Sequence, residues 1–241
     1  MKREWGGGRG PGASGPAPQD TTGIGAPSSD EAGAFTALAG LLRTVIEAPG
    51  AADRSVLAAA AAAGELSTDE IISDAAVVMF GGIDTTDGMI ANAALHLLSH
   101  PDQLELVRSD PALLPAAAEE SLRLEPAAAI VDRYATRDTS VAQAGIRAGD
   151  RVTVSISGAN RDPAVFTDPD RFDLRRPESG RHLAFAHGPH FCIGAPAARA
   201  ETLAALRALL TLPGLRLDRA QVAEPRGLVF RKPPTLRVLW D

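Results

Sequence analysis

Between Ser67 and Ser99 the chain runs without a proline, and Ser67 stands three residues before Glu70. In that spacing a serine hydroxyl and a glutamate carboxylate satisfy each other's backbone N–H groups at a helix start. At ~1.5 Å per residue the helix spans on the order of 45 Å, enough to cross a whole domain, so the other elements are expected to pack around it. Composition agrees. Alanine supplies 45 of the 241 residues and aromatic residues only 4%, a bias toward helices that approach closely through small side chains.

Residues 1–30 hold eight Gly and four Pro with few apolar side chains, so residues 1–33 are expected to form a disordered tail. Apolar residues then recur at helical spacing from Ala34 to Glu47, and a second short helix is expected over Ala52–Ala63, stopped by Gly64. Two helices open at prolines, Pro101–Arg108 and Pro115–Leu124. Beyond Pro126 the texture changes. Ile130–Ala135 and Val152–Ser157 read as strands, residues 158–191 as an irregular meander, Ala195–Leu210 as a last helix and Leu215–Trp240 as a β hairpin. The expected fold class is mainly α with a minor β sheet.

The net charge of -6, with 22 Arg against two Lys, argues against a general nucleic-acid binder. A single cysteine excludes an intrachain disulfide and any multi-cysteine zinc or iron–sulfur site built by this chain alone. No segment approaches the ~18 to 20 apolar residues of a membrane span, and the first residues hold no apolar stretch of a secretory signal, so a cytoplasmic protein is expected.

The cysteine carries the strongest signal. Phe185-Ala186-His187-Gly188-Pro189-His190-Phe191-Cys192-Ile193-Gly194 sets it in a glycine-containing loop just before a helix, where the helix dipole and backbone N–H donors favour a thiolate. A lone cysteine is ordinarily a small buried hydrophobe. This loop, however, resembles the haem-binding loop of the cytochrome P450 family, Phe-Gly-x-Gly-x-His/Arg-x-Cys-x-Gly, in which the cysteine is the axial iron ligand. Ala186 stands where the pattern usually has glycine.

Three further motifs follow the family's order. Gly81-Gly82-Ile83-Asp84-Thr85-Thr86, inside the long helix, resembles the oxygen-activation motif. Two glycines in a helix interior cost about 1 kcal/mol each, so they mark a place where space is needed. The hydroxyl of Thr85 beside Asp84 offers a proton relay. Glu120-Ser121-Leu122-Arg123 matches Glu-x-x-Arg, and Phe172-Asp173-Leu174-Arg175-Arg176 supplies the second arginine of that network. On a surface such a pair contributes about a few tenths of a kcal/mol. By resemblance, Glu120, Arg123 and Arg176 lock the meander under the haem loop, a structural role.

The resemblance implies a P450-like haem-thiolate fold and a monooxygenase that activates dioxygen to oxidise a small apolar organic substrate. Haem b would be bound through Cys192 on iron, with Phe185 and Gly82 among the haem contacts and Arg133, His190 and, more weakly, His182 on the propionates. Asp84 and Thr85 would be catalytic, delivering protons. Val78, Gly81, Ala129, Val131 and Leu228 would line the substrate pocket. Electrons would come from NAD(P)H only indirectly, through a ferredoxin or flavodoxin-type donor. The resemblance covers residues 34–241, the C-terminal haem-binding part of the fold, and family members are considerably longer at the N-terminus. The expectation is therefore of a P450-like fold truncated there, its pocket covered by a complementary chain or in a homo-oligomer. The alternative is a non-catalytic P450-like helper or binding module for a partner enzyme, or an inactive fragment.

Overall fold

The computed structural model describes residues 29–48, 55–221 and 223–241, and it divides into two compact units between Ala75 and Ala76. In the first unit, α1 (Ser29–Glu47) begins five residues before the apolar periodicity at Ala34, so Ser29–Gly33 are helical where a tail was expected. The rest of the expected tail, residues 1–28, lies outside the described residues. Ser55 caps α2 (Val56–Ala63) with its hydroxyl 3.4 Å from the Ala58 N–H, and Gly64 closes the helix in the left-handed region at φ 73°. Residues 52–54 of the expected second helix lie outside the described residues. The capping box at the head of α3 (Thr68–Ser99) is formed: the Ser67 N–H donates to Glu70 Oε2 at 2.8 Å, and the Glu70 N–H donates to Ser67 Oγ at 3.3 Å. Leu42, Ile72 and Ala75 form the small core of this unit.

The second unit takes α3 from Ala76 onward, then α4 (Pro101–Ser109), α5 (Leu114–Leu124), α6 (Ile156–Ala159) and α7 (Ala195–Leu210). Its strands are β1 (Ile130–Tyr134), β2 (Thr139–Val141), β3 (Ala144–Ile146), β4 (Arg151–Ser155), β5 (Arg216–Leu217) and β6 (Val238–Leu239). Among the described residues they form three antiparallel pairs, β1–β4, β2–β3 and β5–β6, with Ile130 opposite Ser155 and Tyr134 opposite Arg151. The strand expected to reach Ser157 stops at Ser155, because the Ser155 hydroxyl accepts the Gly158 N–H at 3.0 Å and starts α6. The β2–β3 hairpin was not foreseen; its turn holds Ala142 at φ 52°. The terminal hairpin is also corrected. Only two residues pair on each side, and the segment between them joins other parts of the fold through bridges of Ala128 with Phe230 and Arg226 with Lys232.

Alanines set the packing. Ala93 and Ala94 of α3, Ala117 of α5 and Leu206 of α7 are buried in one cluster with Leu97, Leu114 and Phe172. The small methyl groups let the helices approach while leucines fill the gaps. The middle of α3 is different: Val77, Val78, Phe80 and Ile83 are exposed at 60–70%. No described helix is long and apolar enough to cross a membrane.

Candidate haem-thiolate site

The cysteine loop is shaped by backbone bonds. The Cys192 N–H donates to the Phe185 carbonyl at 2.9 Å, the Phe191 N–H to the Gly188 carbonyl at 3.0 Å, and the Ala195 N–H to the Cys192 carbonyl at 3.2 Å, which leads directly into α7. Gly188 sits at φ 74° and Ala186 at φ 62°. Ala186 therefore occupies the left-handed region that glycine adopts without cost, at the position where the family pattern has glycine. Cys192 is a free, exposed thiol, and Phe191 and Ile193 on either side of it are exposed at 53% and 88%.

Behind the loop lies a polar network built on Glu119. Its carboxylate accepts two bonds from Arg199 of α7, at 2.6 and 2.9 Å, and one from His182 Nε2 at 3.1 Å. Burial pushes the Glu119 carboxyl up, but the hydrogen bonds from Arg199 and His182 outweigh it and hold the pKa at about 2. The Arg199 guanidinium lies 4.5 Å over the Phe185 ring, so the network ends on the residue whose carbonyl holds Cys192. His182 is a correction. Its Nδ1 accepts the Ala184 N–H at 3.1 Å and its Nε2 bonds Glu119, so both nitrogens of this buried ring are committed inside the protein, which does not present them to a propionate.

On α3 a Cβ added at Gly81 or Gly82 would meet nothing within 4 Å, so both glycines leave open space. The Thr85 hydroxyl donates to the Gly81 carbonyl at 2.5 Å, held against the preceding turn. Asp84 is exposed and bonds Lys232 Nζ at 3.1 Å. One turn beyond Thr85, Met89 packs in a buried cluster with Phe185, Leu122 and Ala195 and ties α3 to the cysteine loop. Phe80 stacks edge-on against Phe230 at 6.1 Å, which brings the segment holding Leu228 to the same stretch of helix.

Of the remaining expected positions, Val78 is 60% and Leu228 76% exposed, and Val131 is half-buried. Ala129 is a second correction. It is 2% exposed, its N–H donates to Val229 and its carbonyl accepts from Ile156 and Ser157, which makes it a buried junction and not a pocket wall. Arg133 and His190 are exposed, and the Arg133 guanidinium donates to the Asp132 carbonyl at 2.8 Å.

Glu120, Arg123 and Arg176 meet in one cluster. Glu120 and Arg123 are fully buried. Arg123 commits every N–H it has, to both Glu120 oxygens and to the carbonyls of Asn160, Pro169 and Arg171. Arg176 Nε reaches Glu120 Oε1 at 2.9 Å, and its other nitrogens bind the carbonyls of Thr167, Asp168 and Arg171.

The donor set fits a haem. An exposed thiol precedes a helix N-terminus, apolar side chains flank it, and exposed Arg133 and His190 can meet carboxylates. The cytochrome P450 family model matches residues 51–225 of this chain. This chain belongs to the cytochrome P450 family. It is 44% identical over 176 residues to the cytochrome P450 monooxygenase PikC of Streptomyces venezuelae, a match covering 72% of this chain and 41% of that protein. It is 42% identical over 171 residues to the 6-deoxyerythronolide B hydroxylase of Saccharopolyspora erythraea, covering 70% and 42%. Among solved structures, the P450 monooxygenase TamI with tirandamycin C superposes at a TM-score of 0.78 with 36% identity, covering 88% of this chain and 54% of that one. P450BioI in complex with a hexadec-9Z-enoic acid-ligated acyl carrier protein superposes at 0.79 with 32% identity, again covering 88% and 54%. The chain thus spans about two fifths of the length of these P450 relatives and about half that of the solved P450 chains.

Glu119, Arg199, Asp87 and Lys232 were not foreseen. Glu119 stands beside Glu120 on one helix, and two adjacent carboxylates in an alanine-rich stretch were the available hint that both faces need a cationic partner.

Proposed function

We propose that this chain is the haem-binding part of a haem-thiolate monooxygenase that oxidises a small apolar organic substrate. The observation that carries the reading is the exposed Cys192 thiol, held by its own N–H on the Phe185 carbonyl at the entrance to α7. Cys192 would hold the iron of haem b, with Phe185 and Gly82 against the porphyrin and Arg133 and His190 on the propionates. When bound, thiolate-ligated haem supplies dioxygen activation with cleavage of the O–O bond. The chain's own residues do the rest. The Thr85 hydroxyl, now on the Gly81 carbonyl, turns its proton into the space left by Gly81 and Gly82, and the exposed Asp84 carboxylate exchanges protons with water to resupply it. Val78, Gly81, Val131 and Leu228 offer small or aliphatic surface to the substrate. Electrons would arrive from NAD(P)H through a ferredoxin or flavodoxin-type donor. The exposed Val77, Phe80 and Ile83 offer apolar surface that a complementary chain or a second copy of this one would cover.

The test is spectroscopic. The full chain, purified with haem, is expected to show the red-shifted carbon monoxide band of a ferrous thiolate, and Cys192→Ser to abolish it. A folded chain that takes up no haem, or binds it through nitrogen or water, overturns the proposal.

A further inference from the structure

Lys232 approaches α3 from a segment whose backbone is fixed on both sides. Its N–H and carbonyl pair with Arg226 at 3.3 and 3.0 Å, and the neighbouring Arg231 N–H donates to the Ala127 carbonyl at 2.8 Å. The Arg231 guanidinium is itself tied to Glu125 at 2.7 Å. On the facing helix, a Cβ at Gly88 would lie 3.0 Å from the Ala127 Cβ and 3.6 Å from the Lys232 Cβ, so the glycine is what lets this segment close on α3. From there the lysine side chain reaches Asp87 Oδ2 at 2.5 Å and Asp84 Oδ1 at 3.1 Å.

Asp84 and Asp87 stand three apart on one helix, a spacing at which two carboxylates share a face and repel. One ammonium between them removes the repulsion, and a compact point charge suits this better than a planar guanidinium fork. Lys232 is the sole lysine among the described residues of a chain that otherwise uses arginine. Lys232 is about a third exposed and both carboxylates more than half, so the attraction adds little stability; what the contact supplies is geometry.

We propose that Lys232 is a positioning residue for the Asp84–Thr85 relay: its ammonium, anchored on Asp87, fixes the Asp84 carboxylate at the helix position that precedes Thr85. Without the clamp the Asp84 side chain redistributes among its staggered rotamers, and the relay loses its fixed first step. The carboxylates of Asp87 and then Asp84 hold the Lys232 pKa above its ordinary value, so the clamp keeps its charge across neutral pH. The proposal rests on the monooxygenase reading above.

Two measurements test it. In the haem-free full chain, acetylation of Lys232 by an N-hydroxysuccinimide ester, followed by mass spectrometry, is expected to speed up about threefold in Asp84→Asn/Asp87→Asn, the size of an exposed ion pair. An unchanged rate overturns the contact itself. In the haem-loaded chain, driven by NADPH through a surrogate ferredoxin and its reductase, Lys232→Met is expected to raise hydrogen peroxide released per NADPH about twofold. Lys232→Arg, which keeps the charge but not the compact ammonium, is expected to restore only part of the native ratio, with haem content equal in all three proteins. Equal peroxide ratios in the parent and Lys232→Met overturn the positioning role. Failure of the parent chain to bind haem through Cys192 strikes the monooxygenase reading instead, and the acetylation measurement does not depend on it.

Discussion

Replacing Glu120 with glutamine keeps the shape of the side chain and removes its charge. In the parent protein Glu120 Oε1 accepts from Arg123 Nη2 at 2.9 Å, from Arg176 Nε at 2.9 Å and from the Asp173 N–H at 3.1 Å, while Oε2 accepts from Arg123 Nε at 2.8 Å. The cluster holds two guanidinium groups and one carboxylate, hence a net single positive charge; in Glu120→Gln it holds two uncompensated charges. One amide position must also turn N–H groups toward guanidinium N–H groups. The side chain stays the same size, so no cavity forms, and the loss is that of a broken buried ion pair, about 3–5 kcal/mol. That is a large part of the roughly 5–15 kcal/mol that holds a typical domain folded. With a urea slope of about 3 kcal/mol/M, the unfolding midpoint followed by circular dichroism should fall by more than about 1 M. Arg176→Met in the Glu120→Gln background removes one of the orphaned charges, so the double variant should be no less stable than Glu120→Gln alone. A Glu120→Gln midpoint within about 0.3 M of the parent would refute the reasoning, because it would mean the guanidinium groups are satisfied by backbone carbonyls alone.

Ala186→Gly relieves a left-handed alanine worth about 1 kcal/mol and gives back most of it as unfolded-chain entropy, so stability measured by urea should rise by less than about 1 kcal/mol. Gly188→Ala, at φ 74°, should lower it by about 1 kcal/mol or more; a loss in the first or a gain in the second contradicts the strain assigned to this loop. Thr85→Ala should leave haem affinity intact and cut product formation by about a hundredfold, with electrons diverted to peroxide; unchanged partitioning would remove Thr85 from the relay. Acid should destabilise the fold in two windows. Burial, with the charges of His100, Arg161 and Arg123, lowers the His96 pKa from 6.5 to about 3, so the unfolded chain takes up a proton that the folded one refuses. Stability should therefore fall as pH drops below about 6.5, by up to about 1.4 kcal/mol per pH unit. Glu119, held at about 2, adds a further loss only below its unfolded value of 4.5. His96→Phe should flatten the urea midpoint between pH 6.5 and 5, and an undiminished slope in that variant would exclude His96 as its source.

What could be read from the chain alone followed the range of the interaction. The start of α3 was legible because Ser67 and Glu70 bond each other three residues apart, and the cysteine loop because its turns and its cysteine lie within ten consecutive residues. The Glu120–Arg123 pair is equally local, but its burial is not: complete exclusion from water is imposed by Asn160, Pro169 and Arg171, which arrive from the meander. The same distinction separates His190 from His182. His190 is exposed two residues before Cys192, whereas His182 is drawn inward by Glu119, 63 residues away in the chain. Lys232 is the extreme case, since its partner Asp84 is 148 residues distant and nothing around either residue announces the other. Ala186 runs the opposite way. The sequence already marked it as a departure from the glycine of the pattern, and the backbone there keeps the left-handed turn regardless. The loop is held by bonds on both sides of that residue, Ala186 N–H to Leu183 and Cys192 N–H to Phe185, so the geometry that presents the thiol is set by the loop as a whole and survives an unfavourable residue within it.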